Sequence, residues 1–160
     1  VKTLERIHAH YGYVTYELIT LRQYDEALEL IGKTKSQLRQ ENAYLKALNG
    51  EYDLSINQAT ATSNAYDFSI DNPIWRLAYP LYYWQYVFSS ASKYSNIDPF
   101  LVLGVIRQES RFDPSAVSVS DAFGLMQFIL PTARVVAGQL GLKFSSAEDL
   151  KNPKYNISLG

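Results

Sequence analysis

Apolar residues recur at spacings of three and four through most of the chain, and strictly alternating β-branched runs are almost missing. This pattern predicts an all-α fold. Within it, one stretch resembles another at an offset of 28. Tyr16 matches Tyr44, and Gln23-Tyr24-Asp25-Glu26-Ala27-Leu28 matches Glu51-Tyr52-Asp53-Leu54-Ser55-Ile56. Each copy reads as the end of one helix, a turn at the Tyr-Asp pair, and the start of the next helix, with Asp25 and Asp53 placed where a carboxylate favours the helix dipole. Helical hairpins repeated in this way stack into a solenoid; the alternative is chance similarity between two amphipathic helices.

The repeat pattern stops near Asp71-Asn72-Pro73, where turn chemistry marks a boundary. Beyond it lie Trp75, Tyr79, Tyr82, Tyr83, Trp84, Tyr86, Phe88 and Tyr94. Pro80 suits the first turn of a helix reaching about Lys93. Its rings serve packing, or stacking on sugars. Asp98 and Pro99 then form a strong helix start, and the next helix runs from Phe100 to about Ser110. Val102, Val105, Ile106 and Glu109 fall along one stripe of it, so a carboxyl ends an apolar stripe. Two readings follow. The carboxyl is buried against aliphatic side chains, where the protonated form required of a general acid is favoured, or it sits on the surface at a frayed helix end.

Asp113-Pro114-Ser115 breaks that helix, and a Ser-rich loop follows to Phe123. Gly124-Leu125-Met126-Gln127 is expected to open a short helix that Pro131 restarts or kinks and Gly141 ends. Ser145 with Glu148 resembles a capping box, and Pro153 starts a further helix.

Composition narrows the function classes. The 160 residues are 47% apolar and 19% charged with 14 Gly plus Pro, a globular makeup. Net charge is −1, and no segment is basic enough to bind nucleic acid through phosphates. Cys is absent, which excludes disulfides and thiolate metal sites. His8 and His10, two apart, point to different helix faces and make no metal pair. The strongly apolar stretch Phe100 to Ile106 is far shorter than the roughly 20 residues of a membrane span, and no signal sequence opens the chain.

The ordered series Gln108-Glu109-Ser110-Arg111-Phe112-Asp113-Pro114, Ser118, Gly124-Leu125-Met126-Gln127, Thr132-Ala133, Asn152-Pro153, Asn156-Ile157 and Gly160 resembles the catalytic domain of the soluble lytic transglycosylases. These are goose-type-lysozyme-like enzymes that cleave peptidoglycan. The resemblance covers about residues 79–160 and extends loosely upstream, where large members carry a superhelix of helical hairpins. It implies that residues 1–72 are the end of such a superhelix, with a linker near 71–79. Residues 73–160 would then be the N-terminal part of a lysozyme-like domain, incomplete at its C-terminus. The family's domain continues with further helices and an Ala-Tyr-Asn element, so this span is expected to be inactive or unstable alone.

Carried over residue by residue, the resemblance puts the catalytic glutamate on Glu109 and a serine beside the reaction centre on Ser118. Groove-lining residues fall on Met126 and Gln127. Asp121 stands where the family usually has Gly, and its Pro after the Gln is shifted to Pro131, which affects loop conformation and subsite shape.

The common glycosidase plan uses two carboxylates, yet only Glu109 is well placed. The family resembles a one-acid solution. Glu109 would protonate the glycosidic oxygen between N-acetylmuramic acid (MurNAc) and N-acetylglucosamine (GlcNAc), and the substrate's acetamido group would stabilise the cation. Glu109 would then act as base on the C6 hydroxyl, giving a 1,6-anhydro end. The implied partner is the peptidoglycan glycan strand in the periplasm or cell envelope; no metal or organic cofactor, nucleic acid or transmembrane segment is implied, and oligomeric state is left open. The rivals are a hydrolase on the same fold and a catalytically silent glycan-binding scaffold.

Overall fold

The computed structural model describes residues 5, 7, 15, 17–33, 39–63 and 74–160. His8, His10, Tyr16 and the turn expected at 71–73 lie outside the described residues. The described residues are mostly helical, as the spacing predicts, with one small antiparallel hairpin. They fall into two compact units, one ending at Pro80 and the other spanning Leu81–Gly160.

In the first unit, helices α1 (Tyr24–Lys33), α2 (Arg39–Leu48) and α3 (Tyr52–Ser63) are followed by the short α4 (Ile74–Ala78). The 28-residue offset is written into the backbone. Arg22 (φ 61°) and Gly50 (φ 82°) are both left-handed. The Gln23 amide donates to the Leu18 carbonyl at 2.8 Å, and the Glu51 amide donates to that of Lys46 at 2.9 Å. These are matching αL helix ends, each closing one helix and releasing the chain into the next at a Tyr. The Asn49 amide joins the two turns, donating to Asp25 at 2.8 Å and to Glu51 at 2.6 Å. Two apolar clusters fill the unit. Ile19, Ala27, Ile31 and Leu45 form one, and Ala43, Ala59, Ile74 and Ala78 form the other. The second cluster ties α4 to α2 and α3. The first unit therefore ends at Pro80, beyond the boundary the sequence suggests near 71–73.

The second unit contains α5 (Trp84–Ala91), α6 (Pro99–Ser110), strands β1 (Ala122–Phe123) and β2 (Phe128–Ile129), α7 (Leu130–Gln139), a 3₁₀ turn (Ala147–Lys151) and α8 (Pro153–Leu159). The aromatic helix starts at Trp84, not at Pro80. Tyr83 (φ 59°) is left-handed, so a helix cannot run through it. Its rings serve packing: Trp84 lies 5.3 Å from Phe100 and 5.6 Å from Phe88, and Tyr82 meets Phe112 edge-on at 5.6 Å. The remaining core gathers Ala133, Ala137, Leu150 and Leu159 with Phe123, Phe128 and Phe144 around them. The capping box of the 3₁₀ turn pairs Ser146 with Asp149, one residue later than the sequence suggests.

Candidate active site

The helix that carries Glu109 begins as predicted. The Asp98 carboxylate accepts the Phe100 amide at 2.8 Å, and Pro99 occupies the first turn. Its buried residues are Leu103, Ile106 and Ser110, a spacing of three and four. Full burial of Leu or Ile side chains such as these is worth about 2 kcal/mol each. The buried stripe is thus one residue out of step with the Val102–Val105–Ile106–Glu109 reading. Val105 is exposed and so is Glu109. Of the two readings of the Glu109 carboxyl, the structure takes the exposed one: it stands on the open side of the last turn, and no hydrogen bond or ion pair joins it to another described residue.

The turn that ends this helix follows the glutamate by two residues. Arg111 (φ 50°) and Phe112 (φ 65°) are successive left-handed residues, and the turn they make drives Phe112, 1% exposed, into the core against Tyr82. Asp113 closes the turn by accepting the Ser115 amide at 2.8 Å. Its carboxylate is therefore engaged in holding its own loop.

The Gly124-Leu125-Met126-Gln127 element is the four-residue loop of a β-hairpin and not a helix start. Ala122 pairs with Ile129 and Phe123 with Phe128, and the Gln127 amide donates back to the Gly124 carbonyl at 3.2 Å. Gly124 (φ 74°) and Gln127 (φ 50°) are left-handed, which a helical reading of this run misses. The helix begins only at Leu130, and Pro131 sits in its first turn, where a missing amide costs nothing. Asp121 is left-handed at φ 54°, the conformation in which glycine is at ease and Asp is tolerated. A Gly at this position and the Asp found here meet the same backbone demand.

The side chains carried over by resemblance take distinct places. Ser118 organises its loop, its hydroxyl oxygen accepting the amides of Ser120 at 3.2 Å and Ala122 at 3.1 Å. Its hydroxyl proton remains a donor. The Gln127 side-chain nitrogen donates to the carbonyls of Gly124 at 2.9 Å and Ala116 at 3.3 Å. Two carbonyl partners fix the amide orientation, so the side chain can offer a ligand only its acceptor oxygen. Met126 is half-buried, and a Cβ at Gly160 would collide with its sulfur. Ala116 joins the Ser118 loop to the hairpin, since its carbonyl also takes the Gly124 amide at 2.9 Å.

Two residues named in the sequence motifs without a role hold this assembly together. Buried Ser110 donates its hydroxyl to the Leu125 carbonyl at 2.9 Å. Asn156, fully buried, accepts the Met126 amide at 2.9 Å and donates to the carbonyls of Leu150 at 2.8 Å and Phe123 at 3.2 Å. Their sequence signal is a polar residue at a core position.

A separate open groove of about 920 Å³ runs between α5, α7 and α8. Val87, Tyr94, Ile97, Leu140 and Leu159 are among its walls; Glu109, Ser118, Met126 and Gln127 are not. Among the described residues no cluster of His, Asp and Glu could hold a metal ion, and no helix is long and apolar enough to cross a membrane.

Comparison with known proteins fits this geometry. The family model of the Transglycosylase SLT domain matches residues 86–160. The endo-type membrane-bound lytic murein transglycosylase A of Salmonella paratyphi B is 36% identical over 94 residues, covering 56% of this chain and 46% of its own length. The protein of the same name from Salmonella typhimurium matches equally. Among solved structures, the 70 kDa soluble lytic transglycosylase of Escherichia coli superposes with a TM-score of 0.65 at 25% identity, over 91% of this chain and 23% of that one. An inactive glutamate-to-glutamine mutant of lytic transglycosylase Slt from Pseudomonas aeruginosa shares the fold at 19% identity, with a TM-score of 0.65 over 99% of this chain and 25% of that one. The chain thus spans less than half the length of the curated relatives it matches. Residues 86–160 thus match the Transglycosylase SLT domain, and the chain shares its fold with solved lytic transglycosylases.

Proposed function

We propose that this chain carries the catalytic acid of a peptidoglycan lytic transglycosylase, acting on glycan strands in the periplasm or cell envelope. The observation that carries the reading is the bond from Ser110 to Leu125, which fastens the residue beside Glu109 to the turn presenting Met126 and Gln127. An acid and a polar wall on one rigid frame are what glycoside cleavage requires. Residues 1–72 are read as the end of a helical-hairpin superhelix, supported by the matching αL helix ends.

Glu109 gives its proton to the glycosidic oxygen between MurNAc and GlcNAc as that bond breaks. The neighbouring acetamido group of the substrate meets the positive charge at C1. The Glu109 carboxylate then takes the proton of the C6 hydroxyl, whose oxygen closes on C1 to leave a 1,6-anhydro end. Exposure of the carboxyl suits this plan, because it must touch first one oxygen and then another. Ser118, with its free donor, and Gln127, with its acceptor oxygen, orient sugar hydroxyls and the acetamide; Met126 supplies apolar wall. The E109Q variant tests the assignment. Release of soluble fragments from purified sacculi should fall by about 10²-fold or more, and unchanged release would reject Glu109 as the acid.

A further inference from the structure

The carbonyl of Leu125 and the amide of Met126 belong to one peptide unit. The Ser110 hydroxyl donates to the first at 2.9 Å, and the Asn156 side-chain oxygen accepts from the second at 2.9 Å. Both polar groups of this single peptide are therefore held by buried side chains, one next to Glu109 and the other on α8. Asn156 is further locked by its bonds to Leu150 and Phe123, so it has little freedom to follow if the turn moves. The next peptide leads into Gln127, whose left-handed backbone depends on the turn's geometry.

We propose that Ser110 and Asn156 are positioning residues that clamp the Leu125–Met126 peptide and thereby set Gln127 at a fixed place relative to Glu109. This rests on the reading of Glu109 as the acid and Gln127 as a substrate contact. The physical reason for a clamp is local. A hairpin of two-residue strands has few ladder bonds of its own. Its loop takes an active-site geometry only if the surroundings impose it. Ser110 imposes it from the helix that carries the acid, so a shift of that helix and a shift of the turn occur together. The same hydroxyl lies 3.2 Å from the Ile106 carbonyl, so its one proton, given mainly to Leu125 at 2.9 Å, is shared with the last turn of α6.

The test uses the whole protein and compares S110A, Ser110→Thr, Asn156→Asp and Q127A, at a temperature where circular dichroism shows each to be folded. S110A should lower kcat by about 10-fold or more, as misplacement of a reacting group does, with Ser110→Thr restoring most of the loss through its hydroxyl. If the clamp acts through Gln127, the S110A and Q127A losses will not multiply in the double variant. Multiplying losses, or normal kcat in S110A, overturns the proposal. Hydrogen exchange gives a second readout that needs no activity: the Met126 amide should exchange faster in S110A and Asn156→Asp, while amides of α7 keep their protection. Equal loss at both places would mean general loosening and would overturn it too. E109Q in the same assay separates the two claims. Active E109Q rejects the acid assignment whatever the exchange data show, whereas inactive E109Q with normal S110A rejects the clamp alone.

Discussion

Gly124 and Asn156 are packed so closely that no side chain fits between them: a Cβ on Gly124 would run into the Asn156 amide nitrogen and the Leu150 carbonyl. The backbone at Gly124 is left-handed as well, so steric and conformational costs add. G124A should therefore destabilise the second unit by about 2–4 kcal/mol. Urea unfolding followed by tryptophan fluorescence reads this directly. A loss under about 1 kcal/mol would mean that the turn relaxes without cost.

Asn49 bridges two repeat units by donating to Asp25 and Glu51. N49A should cost the first unit about 1 kcal/mol, the usual worth of such bonds near the surface. Asn49→Asp should cost more, since a third carboxylate would face the other two. If both variants melt like the parent, the bridge contributes nothing to the stacking of hairpins.

Asp149 sets a pH dependence. The Ser145 and Ser146 amides donate to its carboxylate at 2.6 and 3.1 Å, and with Lys143 nearby they hold its pKa below the usual 3.8. A lowered folded value means that the ionised form favours the fold. The contribution is complete above 3.8 and disappears as pH falls through the lowered value. The melting-temperature gap between the parent and D149N should be constant around neutrality and close in strong acid. A gap that persists unchanged at the acid extreme would assign it to packing.

Much of this was legible in the chain. Spacings of three and four marked the helices, Asp98-Pro99 gave a helix start with its cap, and the 28-residue offset marked two helix–turn–helix junctions, whose turns lie just before Tyr24 and Tyr52 and not at the Tyr-Asp pairs. The all-α class and the family resemblance hold. What escaped was set by backbone sign and long-range contact. Gln127 and Tyr83 adopt positive φ without being glycine, so nothing in their identity announced a hairpin loop or a late helix start. The expected stripe on α6 is out by one position because Val102 and Val105 are as apolar as their neighbours Leu103 and Ile106, while Leu103, Ile106 and Ser110 take the core. The roles of Ser110 and Asn156 depend on partners 15 and 30 residues away, which local pattern cannot supply.

If Glu109 performs both proton transfers without water, the cleaved glycan strands carry the trace of it. Mass spectrometry of the muropeptides released from sacculi measures this most directly. Fragments ending in 1,6-anhydro-MurNAc, each lighter by one water than its hydrolysed counterpart and absent with E109Q, are the predicted result. Ordinary reducing ends from the parent protein, or anhydro ends that persist with E109Q, would contradict it.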